Sequence, residues 1–421
     1  MSDCLARRKI LILSGASVHC KLVEEAKKYG LYTIVTDNLI DSPAKRLSDE
    51  SWSLSVTAVD NIVEKCKEEG VDAIVCGWID PCQIPYVKIC QKLNLPCYGN
   101  LEQFTLLTNK SYFKEKCVAN EVCVIPEYSI QDVENEQVSY PVFIKPADSR
   151  GSRGQEICRT KDEALKAIKL AATESSSNTA LIEKYIEGEA EFQVTYFFID
   201  GEAYLIRTAD SYVDENQVGL DRVVSYSISP SKYTDDFISK ASPALIGMLK
   251  NIGVKNGPVF FQGFYNRTEN RFCFFDPGYR FPGTDFEKIL KNIFKIDFAF
   301  FMVFFSINGY FPKIDRDVDY FHLNGKHSAV LFPAVKPGLI KSVEGLLELG
   351  DDEAVVSVLE RSKAGDRVFF TKDIGQRLAE IDVLCENKGE LLKKIEEIYH
   401  KITVRDFMGR DMLVKPLRYI V

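Results

Sequence analysis

Three short segments of this chain hold residue types suited to chemistry on an anionic substrate. In the first, Tyr140–Gly154, the apolar run Val142-Phe143-Ile144 delivers Lys145, and a Ser- and Gly-rich loop follows. Gly151 and Gly154 let the backbone fold closely around an anion, Ser149 and Ser152 add hydroxyl donors, and Arg150 and Arg153 add positive charge. Such a loop can grip phosphate oxygens, although the same composition also serves a solvated connection. The second segment, Leu181–Val194, runs a strand into Glu183-Lys184-Tyr185-Ile186. There the backbone of Lys184 and Ile186 has a donor and an acceptor for the edge of a purine, and Tyr185 and Ile186 have surfaces to pack on its face. Glu183 is available to an exocyclic amine and Glu191 to ribose hydroxyls, while an acidic surface turn is the alternative. The third, Gly257–Gly283, sets Gln262 and Asp276 on neighbouring predicted strands of an apolar hairpin. An ionised Asp in apolar surroundings costs several kcal/mol unless it is paired or metal-bound. Asp276 is therefore expected to hold a hard cation and Arg280 an anionic group. Capping of the Pro277-Gly278 turn is the other use open to Asp276.

The elements that must position these residues fall into three units. Over 1–100, strand signals (Lys9–Leu13, Leu31–Val35, Val71–Cys76) alternate with helical patterns, which predicts a Rossmann-like parallel sheet covered on both faces. From 101 to 315 the pattern changes to α+β. Asp200-Gly201 joins two apolar runs as a hairpin, the turn Asn266–Asn270 joins two more, and Thr160-x-x-Glu163 opens a helix. Within this unit, 115–185 is expected to form a small lid. Over 316–421, short β-type runs end in a helix with Leu391, Ile395, Ile398 and Ile402 facing inward, which predicts a small β-rich domain.

Composition removes several function classes. The 421 residues carry 53 Lys and Arg against 61 Asp and Glu, a net charge of −8, so no general polyanion surface is expected and nucleic acid is not a predicted partner. The most apolar run, Phe298–Phe305, is far shorter than the roughly 20 residues a membrane-spanning helix needs, and reads as a core helix. The 12 Cys include no CxxC pair, which predicts free thiols in a reducing, cytoplasmic setting. Neither GxGxxG nor GxxxxGK[ST] occurs, which disfavours a dinucleotide site despite Asp37 at the end of the second strand, and disfavours the P-loop fold. His322 and His327 lack nearby Cys ligands, His19 suits a helix start, and Trp52 and Trp78 suit a core.

In their order and spacing, the three segments resemble the ATP-grasp superfamily of carboxylate–amine ligases, clearly over about 100–300. The domain order is similar to that of carbamoyl-phosphate synthase halves and purine-pathway ligases. The resemblance implies ATP and Mg2+, with Lys110 and Lys145 on the ATP phosphates and Ser149–Gly154 as the glycine-rich lid loop. It also implies Glu183–Ile186 as the adenine hinge and Glu191 as the ribose acid, with Glu189 as a rival. Where the superfamily reads Glu-x-Asn-Pro-Arg, this chain has Phe274, Asp276 and Gly278, so Asp276 and Gln262 carry the metal site and Arg280 takes the substrate role. The activity implied is ligation of a small carboxylate to an amine through an acyl phosphate, with a homodimer as one expected assembly. The competing expectations are nucleotide binding without turnover and bicarbonate phosphorylation of the carbamoyl-phosphate-synthase type.

Overall fold

A computed structural model describes residues 8–147, 154–175, 177–186, 190–213, 223–267, 269–371 and 374–414. The N-terminal unit is a parallel sheet in the order Glu50–Trp52, Tyr32–Thr36, Lys9–Leu13, Ala73–Val75. Its two central strands are buried along almost their whole length, as continuous apolar runs between helical layers must be. The edge strand Glu50–Trp52 has no apolar run of its own and gave no signal in the sequence. Chain order reverses between Lys9–Leu13 and Ala73–Val75, so a crevice opens at the carboxyl ends of these strands.

The apolar run at 298–305 is a helix, Phe298–Asn308, capped by Asp297, whose carboxylate accepts from the amides of Ala299 and Phe300. It packs against the helix Cys20–Lys28 and the strand Ala73–Val75, which explains why nearly every face of it is apolar. Among the described residues no helix is long and apolar enough to cross a membrane.

The centre of the molecule is an eight-stranded sheet. Its order is Arg271–Gly278, Gly257–Asn266, Glu191–Ile199, Glu202–Val213, Val224–Ser229, His327–Leu331, Ala379–Cys385, Val355–Glu360. The two hairpins read from the sequence, across Asp200-Gly201 and across Asn266–Asn270, form its first four strands. Three strands from beyond residue 316 continue this sheet, while Arg367–Val368, Gly338–Glu344 and Thr403–Asp406 form a small sheet of their own and Ala334–Val335 pairs with Leu413–Val414. The terminal helix Lys388–Lys401 then buries Leu391, Ile395 and Ile398 in a second core. A separate four-stranded sheet, Glu127–Tyr128, Ala180–Lys184, Val142–Pro146, Glu156–Cys158, packs on the helix Lys161–Glu174 around a small core of its own.

One expectation about the thiols is corrected. Cys123 and Cys273 form a disulfide, because the backbone beside Phe274 bridges to Val124 and brings the two residues together. A separation of 150 residues hides this proximity from the sequence.

Candidate functional site

The cleft between the small sheet and the large one is organised by the helix Lys110–Ala119. Asn109 caps it, its side chain accepting from the amides of Ser111 and Tyr112 at 3.0 and 3.1 Å. Lys110 and Lys114 are one turn apart and so share a face. Lys114 reaches the small sheet, its Nζ donating to Glu183 Oε1 at 2.5 Å and also to Glu127. From the neighbouring strand, Lys145 Nζ donates to the other oxygen, Glu183 Oε2, at 2.6 Å. Lys110 turns to the large sheet and lies 3.2 Å from Asp276 Oδ1. One carboxylate thus holds two buried ammonium groups, and a third, that of Lys110, reaches Asp276 on the facing wall.

Electrostatics follow this geometry. Burial is the largest influence on Glu183 and would raise it, but Lys145 and Lys114 together outweigh burial and hold the carboxyl below its usual range. Burial pulls Lys145 down, and repulsion from Lys110 and Lys114 reinforces it against the pull of Glu183. Burial likewise opposes the charge on Lys110, yet Asp276, Glu183 and Asp80 raise its pKa overall. Glu183 is therefore a positioning group for lysines. Each of its oxygens accepts from one lysine.

On the large sheet, Gln262 stands opposite Asp276 in register. Between this pair and the next (Gly263 with Phe274) the register shifts, leaving Phe275 as the extra residue of a bulge. Phe274 consequently turns into the core against Phe261 and Phe237, whereas Phe275 faces the cleft, 5.4 Å from Lys145 Nζ. The sequence reading placed Phe274 where the superfamily has a metal-binding Glu; the bulge puts Phe275 on that face instead. Either aromatic leaves the position without a ligand. Gly263 is required at the bulge, for a Cβ there would meet the Cys273 carbonyl oxygen at 2.5 Å.

Glu191 joins the same group. It accepts from Gln193 Nε2 at 2.9 Å and from Gln262 Nε2. Burial, and then the nearby Asp276, raises its pKa against the opposition of the two amides. Gln262 spends its amide nitrogen on Glu191, which turns its carbonyl oxygen the other way. Among the described residues no cluster of three or more His, Cys, Asp or Glu is arranged around a metal position. The oxygen donors of Asp276, Gln262 and Glu191 fit a hard divalent ion that draws most of its shell from phosphate and water, as Mg2+ does.

The remaining expected residues are distributed as follows. The Lys184 amide is taken by the Pro126 carbonyl and the Tyr185 amide by the Pro141 carbonyl, so Lys184 has only its carbonyl to offer a purine, leaving Ile186 as the donor. The Lys184 side chain reaches Glu269 at 3.8 Å. Gly154 sits at φ +65°, and a Cβ there would meet Pro146 Cγ at 2.9 Å, so this glycine closes the loop onto its own strand. Ser149, Gly151, Ser152 and the flanking Arg150 and Arg153 lie outside the described residues, as does Glu189. Arg280 is buried and grips Asp80 with two nitrogens, while its third donates to the Phe281 carbonyl at 2.7 Å. The sequence reading missed Lys114 and Asp80. The spacing of Lys114 four residues after Lys110 was the available signal; nothing local marked Asp80, which comes from the helix Asp80–Leu93, 200 residues before its partner.

Residues 106–275 match the family model for the carbamoyl-phosphate synthase L chain, ATP binding domain. The 2-oxoglutarate carboxylase small subunit of Hydrogenobacter thermophilus is 24% identical over 283 residues, covering 60% of this chain and 60% of that one. The chain therefore spans less than two thirds of that curated relative. Among solved structures, L-amino acid ligase from Bacillus licheniformis superposes with a TM-score of 0.75 at 16% identity, covering 95% of this chain and 98% of the other. The biotin carboxylase domain of the Hydrogenobacter thermophilus 2-oxoglutarate carboxylase, a dimer in complex with MgADP, ADP and bicarbonate, gives 0.76 at 16% identity, covering 96% and 91%. The matched segment spans both the small sheet and the first strands of the large one, and the fold of the chain is that of these solved structures.

Proposed function

We propose that this protein is an ATP-dependent carboxylate–amine ligase. The observation that carries this reading is the convergence of Lys110, Lys114 and Lys145 on one cleft whose opposite wall presents Asp276, Gln262 and Glu191. Cations on one side and hard oxygen donors on the other suit a polyphosphate and its counter-ion. Lys145 and Lys110 bind phosphate oxygens, with Glu183 holding Lys145 in place. Asp276 and Gln262 hold Mg2+, which when bound neutralises charge on the transferring phosphoryl group. The purine lies along 183–186, using the Lys184 carbonyl and the Ile186 amide.

In the first half-reaction, a substrate carboxylate oxygen attacks the γ-phosphorus, the bond to the bridging oxygen breaks and ADP departs. In the second, a neutral amine attacks the carbonyl carbon of the acyl phosphate, inorganic phosphate leaves with the former bond pair, and the amine gives up one proton. The lid sheet, with a core separate from the rest, is suited to closing over the nucleotide and excluding water from the anhydride. Arg280 orients the substrate carboxylate, for which the Asp80 carboxylate stands in. The names of two similar proteins support different acceptors: an amino acid for the ligase, bicarbonate for the carboxylase domain. The test is ADP and phosphate release with MgATP across paired small carboxylates and amines, with and without bicarbonate. Release that needs an organic acid and an amine together supports the ligase. Release that follows bicarbonate alone replaces it with the bicarbonate reading, and ATP binding without release under any pair refutes both.

A further inference from the structure

The small sheet joins the rest of the chain through two connections, from Ala119 to Glu127 and from Lys184 to Glu191. The first is fastened to the edge strand of the large sheet. The Phe274 amide donates to the Cys123 carbonyl at 2.9 Å, Val124 bridges to Phe274 in parallel, and the Cys123–Cys273 disulfide ties the same two segments covalently. Cys273 belongs to Arg271–Gly278, the strand that brings Phe275 to Lys145 and Asp276 to Lys110. One covalent bond therefore links the entry of the lid to the wall that carries the oxygen donors. Main-chain contacts at a sheet edge open locally at little cost, whereas a closed disulfide holds the two segments together throughout.

A small reagent has room to approach this bond. Beside it lies a cavity of about 360 Å3, lined by Cys123 and by both chain neighbours of Cys273, Phe272 and Phe274. Glu121, Asn270 and Arg271, which also line it, are exposed, so the cavity opens to the surface. Cys123 is half-buried and Cys273 is buried, so an incoming thiolate meets Cys123 first. Thiol exchange needs both access and a thiolate. Cys117, the free thiol nearest in the chain, has neither: it is buried, and burial pushes it up to about 12.

We propose that Cys123 and Cys273 form a reversible thiol–disulfide site, reduced by a small thiol, whose state sets how freely the small sheet moves on its first connection. A thiolate attacks Cys123 Sγ, the bond to Cys273 Sγ breaks, and Cys273 departs as a thiolate that takes up the proton the reagent gave. A second thiol attacks the reagent's sulfur in the mixed disulfide. Cys123 is left as a thiol and the reagent as its own disulfide, so two electrons and two protons pass to the protein. With the bond closed the hinge is confined to 124–126; with it open the hinge extends back to 120. The role as a lid rests on the ligase reading above, but the chemistry of the pair does not. The test equilibrates the full chain in graded ratios of reduced to oxidised glutathione, maps the peptides after alkylation, and follows hydrogen exchange over 120–128. The peptides holding Cys123 and Cys273 should be recovered linked in the oxidised chain and separate in the reduced one. Reduction should speed exchange at 124–128 about tenfold or more. Cys123→Ser and Cys273→Ser should each match the reduced chain and ignore glutathione. Failure of the two peptides to link, or a link whose reduction leaves exchange unchanged, overturns the proposal. Should a serine variant fail to fold, the titration of the unaltered chain decides alone. Stabilisation by MgATP, measured in both states, reports on the nucleotide site: none in either state removes the ligase reading and leaves the exchange result standing.

Discussion

Replacing Glu183 by Gln isolates the physics of the lysine cleft. The side chains of Glu183, Lys145 and Lys114 are 3%, 5% and 8% exposed, so the substitution removes the shared counter-ion of two ammonium groups without opening them to water. Breaking a buried ion pair by deleting one partner costs about 3–5 kcal/mol, because the surviving charge stays buried and uncompensated. At about 2–4 °C per kcal/mol for a unit of 150–250 residues, the melting temperature should fall by roughly 6–20 °C. The pH dependence has a definite sign. The folded pKa of Glu183 is depressed, so its contribution is fully present above the ordinary carboxylate range and is lost as pH falls through the lower folded value. Wild type and Glu183→Gln should thus differ most near neutrality and converge in acid. Adding Lys145→Met to Glu183→Gln should restore part of the loss, since the charge left without its carboxylate is gone, whereas Lys114 keeps Glu127. MgATP should also stabilise Glu183→Gln by supplying phosphate as the missing anion. Unfolding by heat or urea at neutral pH is the assay. A loss below about 1 kcal/mol, or a double variant no better than Glu183→Gln, would refute the argument that this carboxylate assembles the lysines.

Lys145→Ala should abolish the melting shift produced by MgATP while leaving the sheet intact; an unchanged shift would exclude Lys145 as a phosphate ligand. His19 is wholly buried, and its imidazole, with burial as the largest cause, is pulled down to about 4. Unfolding restores the ordinary value near 6.5, so stability should be full above that pH and fall by about 3 kcal/mol as pH drops from 6.5 toward 4. His19→Gln should flatten that decline in urea unfolding followed across the range. Gly263→Ala should cost about 2–3 kcal/mol, because its Cβ would meet a backbone oxygen that cannot move aside without breaking the bulge. Asp80→Ala leaves the buried Arg280 guanidinium with the Phe281 carbonyl. As the Asp80 side chain is 31% exposed, solvent screens the loss to about 1–2 kcal/mol, and an added small carboxylate should recover it in a thermal melt.

The sequence by itself carried every element whose signal is local. The parallel strands at Lys9–Leu13 and Tyr32–Thr36 announce themselves as continuous apolar runs, the Asp200-Gly201 hairpin by its turn, and the Phe298–Asn308 helix by an apolar length too short for a membrane. Lys145, Asp276 and Gln262 were legible for a related reason: strand alternation places them on a face, and an acid in an apolar hairpin has to be accounted for. What the chain alone left undecided depends on contacts between distant segments. That Glu183 belongs to lysines, that Arg280 meets Asp80, and that Cys123 meets Cys273 follow from packing across separations of 69, 200 and 150 residues. The bulge that swaps Phe274 for Phe275 on the cleft face is invisible too, because one extra residue reverses alternation without changing composition. Charge and hydrogen-bond valence are settled only when the whole fold has decided which groups water can no longer reach. The roles of the buried ionisable residues therefore had to wait for the tertiary structure.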